Sequence, residues 1–231
     1  MLRTIKQLSP PFLPLLLLLS LSSPSHAESI PLSTTNFPPY QFQKPHSGLR
    51  GFDVEVVEAA FEQVQISSDI KFAPWKRALE ETKLGIFAGV FNCSRKKLRE
   101  EFIIYSSSIS RQSIGFFIRS DFSGFEPSSL EDAKGLKVGS VLGWAMADTM
   151  KEAGADVVAY RTEELVFRDI LKGTIDYAYL SLESSGFGAK KLGISERLRT
   201  IQIQEKKLYV CFSKKWPNIE ALVQKFNKGL A

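Results

Sequence analysis

SIGFFI (Ser113–Ile118) and LYVCF (Leu208–Phe212) are two apolar stretches of strand character that stand some ninety residues apart. Between them the sequence completes an α/β unit of its own. A short capped helix at Ser129–Asp132 leads to a strand at Leu136–Val141, and the turn Gly143-Trp144 opens a helix that ends at Gly154. A strand at Val157–Tyr160 follows, then a helix at Thr162–Lys172 closed by Gly173. Next come a strand at Ile175–Leu180, a helix at Ser184–Leu192 and a strand at Leu198–Ile203. The flanking sequence forms a second such unit. A strand at Ser29–Thr35 and the rigid turn Phe37-Pro38-Pro39-Tyr40 precede a helix N-capped by Asp53, with Val56, Val57, Ala60, Phe61 and Val64 on one face. Ile66–Phe72 reads as a strand, Pro74 opens a helix stopped by Gly85, and Phe87–Asn92 reads as a buried strand. A last helix, opened by Trp216-Pro217-Asn218, carries Ile219, Leu222, Val223 and Phe226 on one side.

Alternation of this kind predicts an α/β fold. One lobe is inserted in another, so that two strands cross between lobes and act as a hinge. The expected division is residues 28–115 with 210–231 for lobe one, and 116–209 for lobe two. The cleft between two such lobes is where a small ligand is expected.

The first 27 residues stand outside this scheme. Arg3 and Lys6 precede an apolar core around Leu15–Leu19, and Ser25-His26-Ala27 supplies small residues at a cleavage site. That is the pattern of a secretory signal peptide cut after Ala27. Its apolar run is shorter than the roughly 20 residues that span a bilayer, and no later stretch approaches that length.

Residues 28–231 hold 28 basic and 25 acidic side chains, a formal charge of +3. So mild a charge, evenly spread, argues against nucleic-acid or membrane partners. With 44% hydrophobic residues the composition is that of an ordinary globular protein. Cys93 and Cys211 are too few for a disulfide framework; a single pair and two buried thiols are both compatible with the sequence.

Arg95, Lys96, Lys97 and Arg99 fall within five residues, just before the apolar FII of Phe102–Ile104. Charge runs are usually solvated turns. A guanidinium beside a cleft has another use: its planar fork meets a carboxylate through two parallel hydrogen bonds and does not deprotonate.

In order along the chain stand FPPY (37–40), GLRGFDVEVVEAAF (48–61), APWKRAL (73–79), a strand ending at Asn92, LREEFIIYSSSI (98–109), VGSVLGWA (138–145) and LKGTIDYAYLSLESS (171–185). No one of these is decisive. Their order and spacing together resemble the family 3 extracytoplasmic solute-binding proteins, type II periplasmic binding proteins that capture polar amino acids for transporters. The resemblance implies a two-lobed periplasmic protein that closes on its ligand about a hinge, with no cofactor and no metal.

It also implies roles for particular residues. An Arg seven positions before a Ser or Thr binds the ligand's carboxylate in that family, and Arg99 stands seven before Ser106. Asn92 and Ser94 occupy positions whose polar groups hold the ligand; Ser94 is equally the N-cap of a short basic helix. Tyr40 follows a turn that aims an aromatic ring at the ligand, or it is core. Trp75 aligns with a ligand contact and is equally a lobe-edge core residue, while Arg77 is favoured as a surface charge. On lobe two, Gly143 lets backbone approach a ligand closely, ahead of a helix N-terminus. Trp144 and Ala145 replace the family's hydroxyl residues there and make the pocket more apolar.

One departure bears on the ligand. The family's amino-acid binders pair the α-ammonium with an Asp five residues beyond the Asp at the start of a strand. Counting from Asp176, this chain has Ser181, with Glu183 two further on. A carboxylate-bearing ligand with a less basic amine, or none, fits that change.

The expected partners are a small polar, carboxylate-bearing ligand and a membrane transporter, with the protein itself a monomer. Two other classes stay open. One is a ligand sensor feeding a membrane receptor. The other resembles cyclohexadienyl dehydratases, enzymes on the same fold, for which Glu183 and His46 are the available acid–base groups.

Overall fold

A computed structural model describes residues 29–231. The signal-peptide reading of residues 1–27 lies outside the described residues. Eight strands form one mixed sheet: β1 (Ile30–Thr34), β2 (Ser68–Phe72), β3 (Gly89–Ser94), β4 (Ile103–Arg119), β5 (Lys137–Val141), β6 (Asp156–Tyr160), β7 (Tyr177–Ser181) and β8 (Leu198–Ser213). Their order across the sheet is β2-β1-β3-β8-β4-β7-β5-β6. Six helices accompany them: α1 (Phe52–Glu62), α2 (Trp75–Leu84), α3 (Ala145–Glu152), α4 (Glu163–Leu171), α5 (Leu182–Lys191) and α6 (Ile219–Leu230).

The two long central strands organise everything else. β4 and β8 pair antiparallel from Ile103↔Ser213 to Arg119↔Leu198, with register shifts near Ser108 and at Gly115. Ser113–Ile118 and Leu208–Phe212 are therefore segments of two continuous strands. Leu198–Ile203, read from sequence as a strand of its own, is the first part of β8. At Gly115 only a residue without Cβ fits, because a Cβ there would collide with the Ile201 carbonyl.

Two sets of cores form along this pair. At one end Phe61 of α1 and Phe226 of α6 each meet Phe212 of β8 edge to face and tilt against each other with centroids 4.8 Å apart. Burying such a ring contributes about 1.5–3 kcal/mol. At the other end the β period of two sends neighbouring side chains to opposite faces. Phe116 joins Tyr177 and Tyr179 on one side, and Phe117 joins Phe167 and Ile170 on the other. Both faces are covered, which explains why SIGFFI reads as a continuous apolar run.

Three local readings are corrected. Asp53 is not the N-cap of α1; Gly51 holds that place at φ 100°, and Asp53 lies inside the helix, fully buried. The basic helix after β3 is a single 3-10 turn, Lys97–Arg99, capped at Lys96 and not at Ser94. The capped helix at Ser129–Asp132 is likewise one 3-10 turn, Glu131–Ala133, whose Asp132 carboxylate accepts from the Ser128 and Ser129 amides. Cys93 of β3 and Cys211 of β8 form a disulfide, with Cα atoms 6.1 Å apart.

Candidate functional site

A cleft of about 680 Å³ opens where β4 and β8 pass from one end of the sheet to the other. One wall comes from the β1–α1 connection, the start of α2 and the end of β3. The opposite wall is one side of α3 with Trp144 before it, and the floor is Gln112 and Ile114 of β4 with Lys206 and Leu208 of β8. Of the residues singled out in the sequence, Arg99, Asn92, Ser94, Trp75 and Trp144 meet around this one space.

Arg99 is half-buried and held from three sides. Its Nη1 donates to the Ser94 carbonyl at 2.9 Å and lies 3.6 Å from Cys93 Sγ, one half of the disulfide. Its guanidinium stands over the Trp75 ring, 5.5 Å from the centroid. Burial lowers its pKa from the ordinary value, yet no carboxylate comes within 4.0 Å of it among the described residues. An aromatic face and a neutral carbonyl orient the cation without neutralising it, so an anion entering the cleft meets an unspent charge. Of the other cations of the cluster, Arg95 sits over Tyr105 and Tyr209 at an exposed position, whereas Lys96, also exposed, reaches the edge of the cleft. Outside the cluster, Arg77 makes an exposed pair with Glu81.

Asn92 owes its place to a buried carboxylate. It occupies the left-handed region at φ 63°, at a bulge between Phe91 and Cys93, a conformation that Asn tolerates better than most residues. Its Nδ2 donates to Asp53 Oδ2 at 2.9 Å, and Gln41 Nε2 donates to the same oxygen at 2.8 Å. Burial lifts the Asp53 pKa to about 6, although the neighbouring Ser110, Asn92 and Gln41 favour the anion. Asp53 Oδ1 and the nearby Ser110 Oγ are both buried without a formed partner. Asp53 thus fixes the direction of Asn92 and stays out of the cleft itself.

Three predicted residues lie elsewhere. Tyr40 is fully buried, donates to the Arg111 carbonyl at 2.9 Å, and does not line the cleft. Burial, with Glu183 close by, raises its pKa and keeps the phenol protonated. The FPPY turn presents Phe37 to the cleft instead, stacked on Tyr40 at 5.5 Å. Ser181 is buried too, and its hydroxyl accepts from the Ser184 amide as the N-cap of α5. Gly143 takes φ 80° in the loop before α3, next to Trp144 but not among the lining residues. Glu183 is committed to the hinge, where its carboxylate oxygens accept from the Ser113 amide at 2.9 and 3.0 Å.

Sequence reasoning missed Phe37, Gln112 and Lys206. Lys206 was there to be found: it shares a strand face with Leu208, two residues on, once β8 is read as continuous. Burial, and then repulsion from Lys96, lower its pKa.

Among the described residues no group of three or more His, Cys, Asp or Glu could hold a metal ion, and no helix is long and apolar enough to cross a membrane. By structure the chain is similar to the YckB protein of Bacillus subtilis, with a TM-score of 0.72, 22% identity, and 87% of this chain and 82% of that one covered. It is also similar to a histidine kinase sensor domain that resembles periplasmic binding proteins, with a TM-score of 0.70, 21% identity, and 88% and 89% covered. A third likeness is an ancestral arginine-binding protein bound to arginine, with a TM-score of 0.64, 20% identity, and 87% and 90% covered. These likenesses carry the two-lobed fold. No curated protein sequence matches. The family model for bacterial extracellular solute-binding proteins, family 3, matches residues 32–231. This chain therefore belongs to the family 3 bacterial extracellular solute-binding proteins.

Proposed function

We propose that this protein binds a small carboxylate-bearing ligand in the periplasm, taking it between its two lobes and closing on it about β4 and β8, for delivery to an ABC transporter. One observation carries the reading. Arg99 is a half-buried guanidinium, oriented by Trp75 and Ser94 and without an acidic partner among the described residues, on the wall of the cleft. Trp75 and Trp144 supply apolar cover from opposite walls, and Asn92 and Ser94 supply polar contacts. Closure follows from a ligand that touches both walls, because it binds the closed form better than the open one. The ligands of similar solved structures, arginine in one and L-glutamate in another, each carry the carboxylate this reading requires. Export through a signal peptide cut after Ala27 suits a family described as extracellular.

We take the protein as a binder and not an enzyme. The commitment of Glu183 to the Ser113 amide supports this, since it takes up the carboxylate best able to serve as an acid or base. A second reading has one observation in its favour, the likeness to a histidine kinase sensor domain. There the same closure would signal to a membrane receptor.

The test is thermal unfolding of the exported protein against amino acids, keto acids, monocarboxylates and dicarboxylates. At a hundredfold excess over Kd a ligand adds about 2.7 kcal/mol. In a protein of this size that raises Tm by roughly 5–10 °C. Stabilisation by carboxylates supports the reading; a cooperatively folded sample that answers to none of them contradicts it.

A further inference from the structure

Beside Arg99 the cleft floor holds a second half-buried cation. Lys206 stands on β8 opposite Gln112 of β4, and strand alternation turns Lys206 and Leu208 to the same side. No carboxylate approaches it within 4.0 Å among the described residues. Its neighbour in charge is another cation, Lys96, whose repulsion adds to the effect of burial in depressing its pKa. The acids of the cleft, Asp148 and Glu152 of α3, are exposed at the rim, and Asp148 faces Lys151 of its own helix at 3.7 Å. Lys96 itself is exposed, but a partly desolvated Lys206 ammonium beside it and without a counter-charge destabilises the empty protein, and an anion placed beside Lys206 relieves that cost.

We propose that the ligand carries two anionic groups, one meeting Arg99 and the other meeting Lys206 with Lys96 beside it. This rests on reading the cleft as a carboxylate site and narrows its ligand from carboxylates in general to small dianions. Trp75 and Trp144 then cover the apolar segment between the charged ends. The second group is a carboxylate or a phosphate, since an ammonium recognises either as a point charge. With Ser181 buried as a helix cap, Asp148 and Glu152 exposed on α3, and no carboxylate within 4.0 Å of Arg99 or Lys206 among the described residues, an amine-free dianion fits best.

Calorimetric titration of the exported protein with matched pairs tests this. The dianions are succinate, glutarate, adipate and phthalate, with phosphoglycolate as a carboxylate–phosphate whose phosphate adds further charge; the monoanions are butyrate, valerate, caproate and benzoate, with glutamine as a zwitterion. At least one dianion is expected to bind about tenfold tighter than its monoanion, the effect of one charge-assisted contact. Comparison of phosphoglycolate with the dicarboxylates identifies the second group. Lys206→Gln should weaken the dianion about tenfold or more and leave monoanions within about threefold, while Lys206→Arg retains dianion affinity. Unligated Lys206→Gln should unfold no lower than wild type, because it loses a repulsion.

Equal loss for dianions and monoanions in Lys206→Gln, or no loss for either, overturns the inference. If monoanions or glutamine bind as tightly as dianions and depend on Arg99 alone, only this inference falls. If nothing in the panel binds wild type, the carboxylate reading falls with it.

Discussion

The guanidinium of Arg99 lies over the indole of Trp75, 5.5 Å from the ring centroid, with its Nη1 bonded to a neutral carbonyl and no carboxylate in reach among the described residues. Their relation separates two kinds of aromatic residue in this protein, those that face the cleft and those that hold the lobes.

Trp75 and Tyr40 should part company on substitution. Trp75→Ala removes a cleft wall and the platform under Arg99, and should weaken carboxylate binding about tenfold, near the upper end of a cation–π and packing contribution. Tyr40→Phe removes a buried hydrogen bond to the Arg111 carbonyl and should cost about 1 kcal/mol of stability while leaving affinity within about twofold. Titration and thermal unfolding of the two variants read both quantities. The opposite pattern would mean that Tyr40, not Trp75, serves the ligand.

Asp53 gives a pH signature. The folded protein holds the Asp53 proton until about pH 6, whereas an unfolded aspartate loses it near pH 4. Between those values the folded state binds more protons than the unfolded one, so this group's contribution to stability falls as pH rises from about 4 to about 6. The change is roughly 2–3 kcal/mol. Asp53→Asn keeps an acceptor for Asn92 and Gln41 and offers an amide to Ser110. The stability difference between wild type and Asp53→Asn should therefore shift by that amount across the window and be level above about pH 7. Urea unfolding at a series of pH values measures it, and a difference independent of pH would contradict the assignment.

The disulfide between Cys93 and Cys211 closes a loop with a sequence separation of 118 residues and flanks the Arg99 guanidinium. The unreduced protein should be lighter by two hydrogens than the reduced form. Replacing both cysteines with serine should cost about 2–5 kcal/mol, as is typical for native disulfides. In a protein of this size that is a fall in Tm of roughly 5–15 °C. An unchanged mass on reduction would refute the bond.

Much of the fold was legible, and the gaps have a common cause. Segments with a core on both faces announced themselves: Ser113–Ile118 as an apolar run, and α6 through Ile219, Leu222, Val223 and Phe226. The stretches that carry β4 and β8 between the lobes did not. Ser106–Ser113 and Gln204–Lys207 are almost wholly polar, because little core flanks a strand where it bridges two lobes; of these residues only Ile109 joins a hydrophobic core. Read as gaps, they concealed both the continuity of the hinge strands and the presence of Gln112 and Lys206 in the cleft. At the site, Arg99, Trp75, Asn92 and Trp144 could be placed by motif and spacing. Tyr40 could not, because a turn of two prolines between two aromatics does not specify which ring faces inward. The structure buries Tyr40 and turns Phe37 to the cleft. Ser181 shows a parallel ambiguity, since a serine ahead of a helix is a cap as readily as a ligand contact.

The central claim is that Arg99 anchors a carboxylate, and calorimetric titration of wild type and Arg99→Met with the tightest carboxylate of the panel tests it most directly. The account predicts that Arg99→Met, folded and unfolding cooperatively, binds at least about tenfold more weakly, with about a hundredfold loss if both hydrogen bonds of the fork are made. An unchanged Kd in a folded Arg99→Met protein would contradict it.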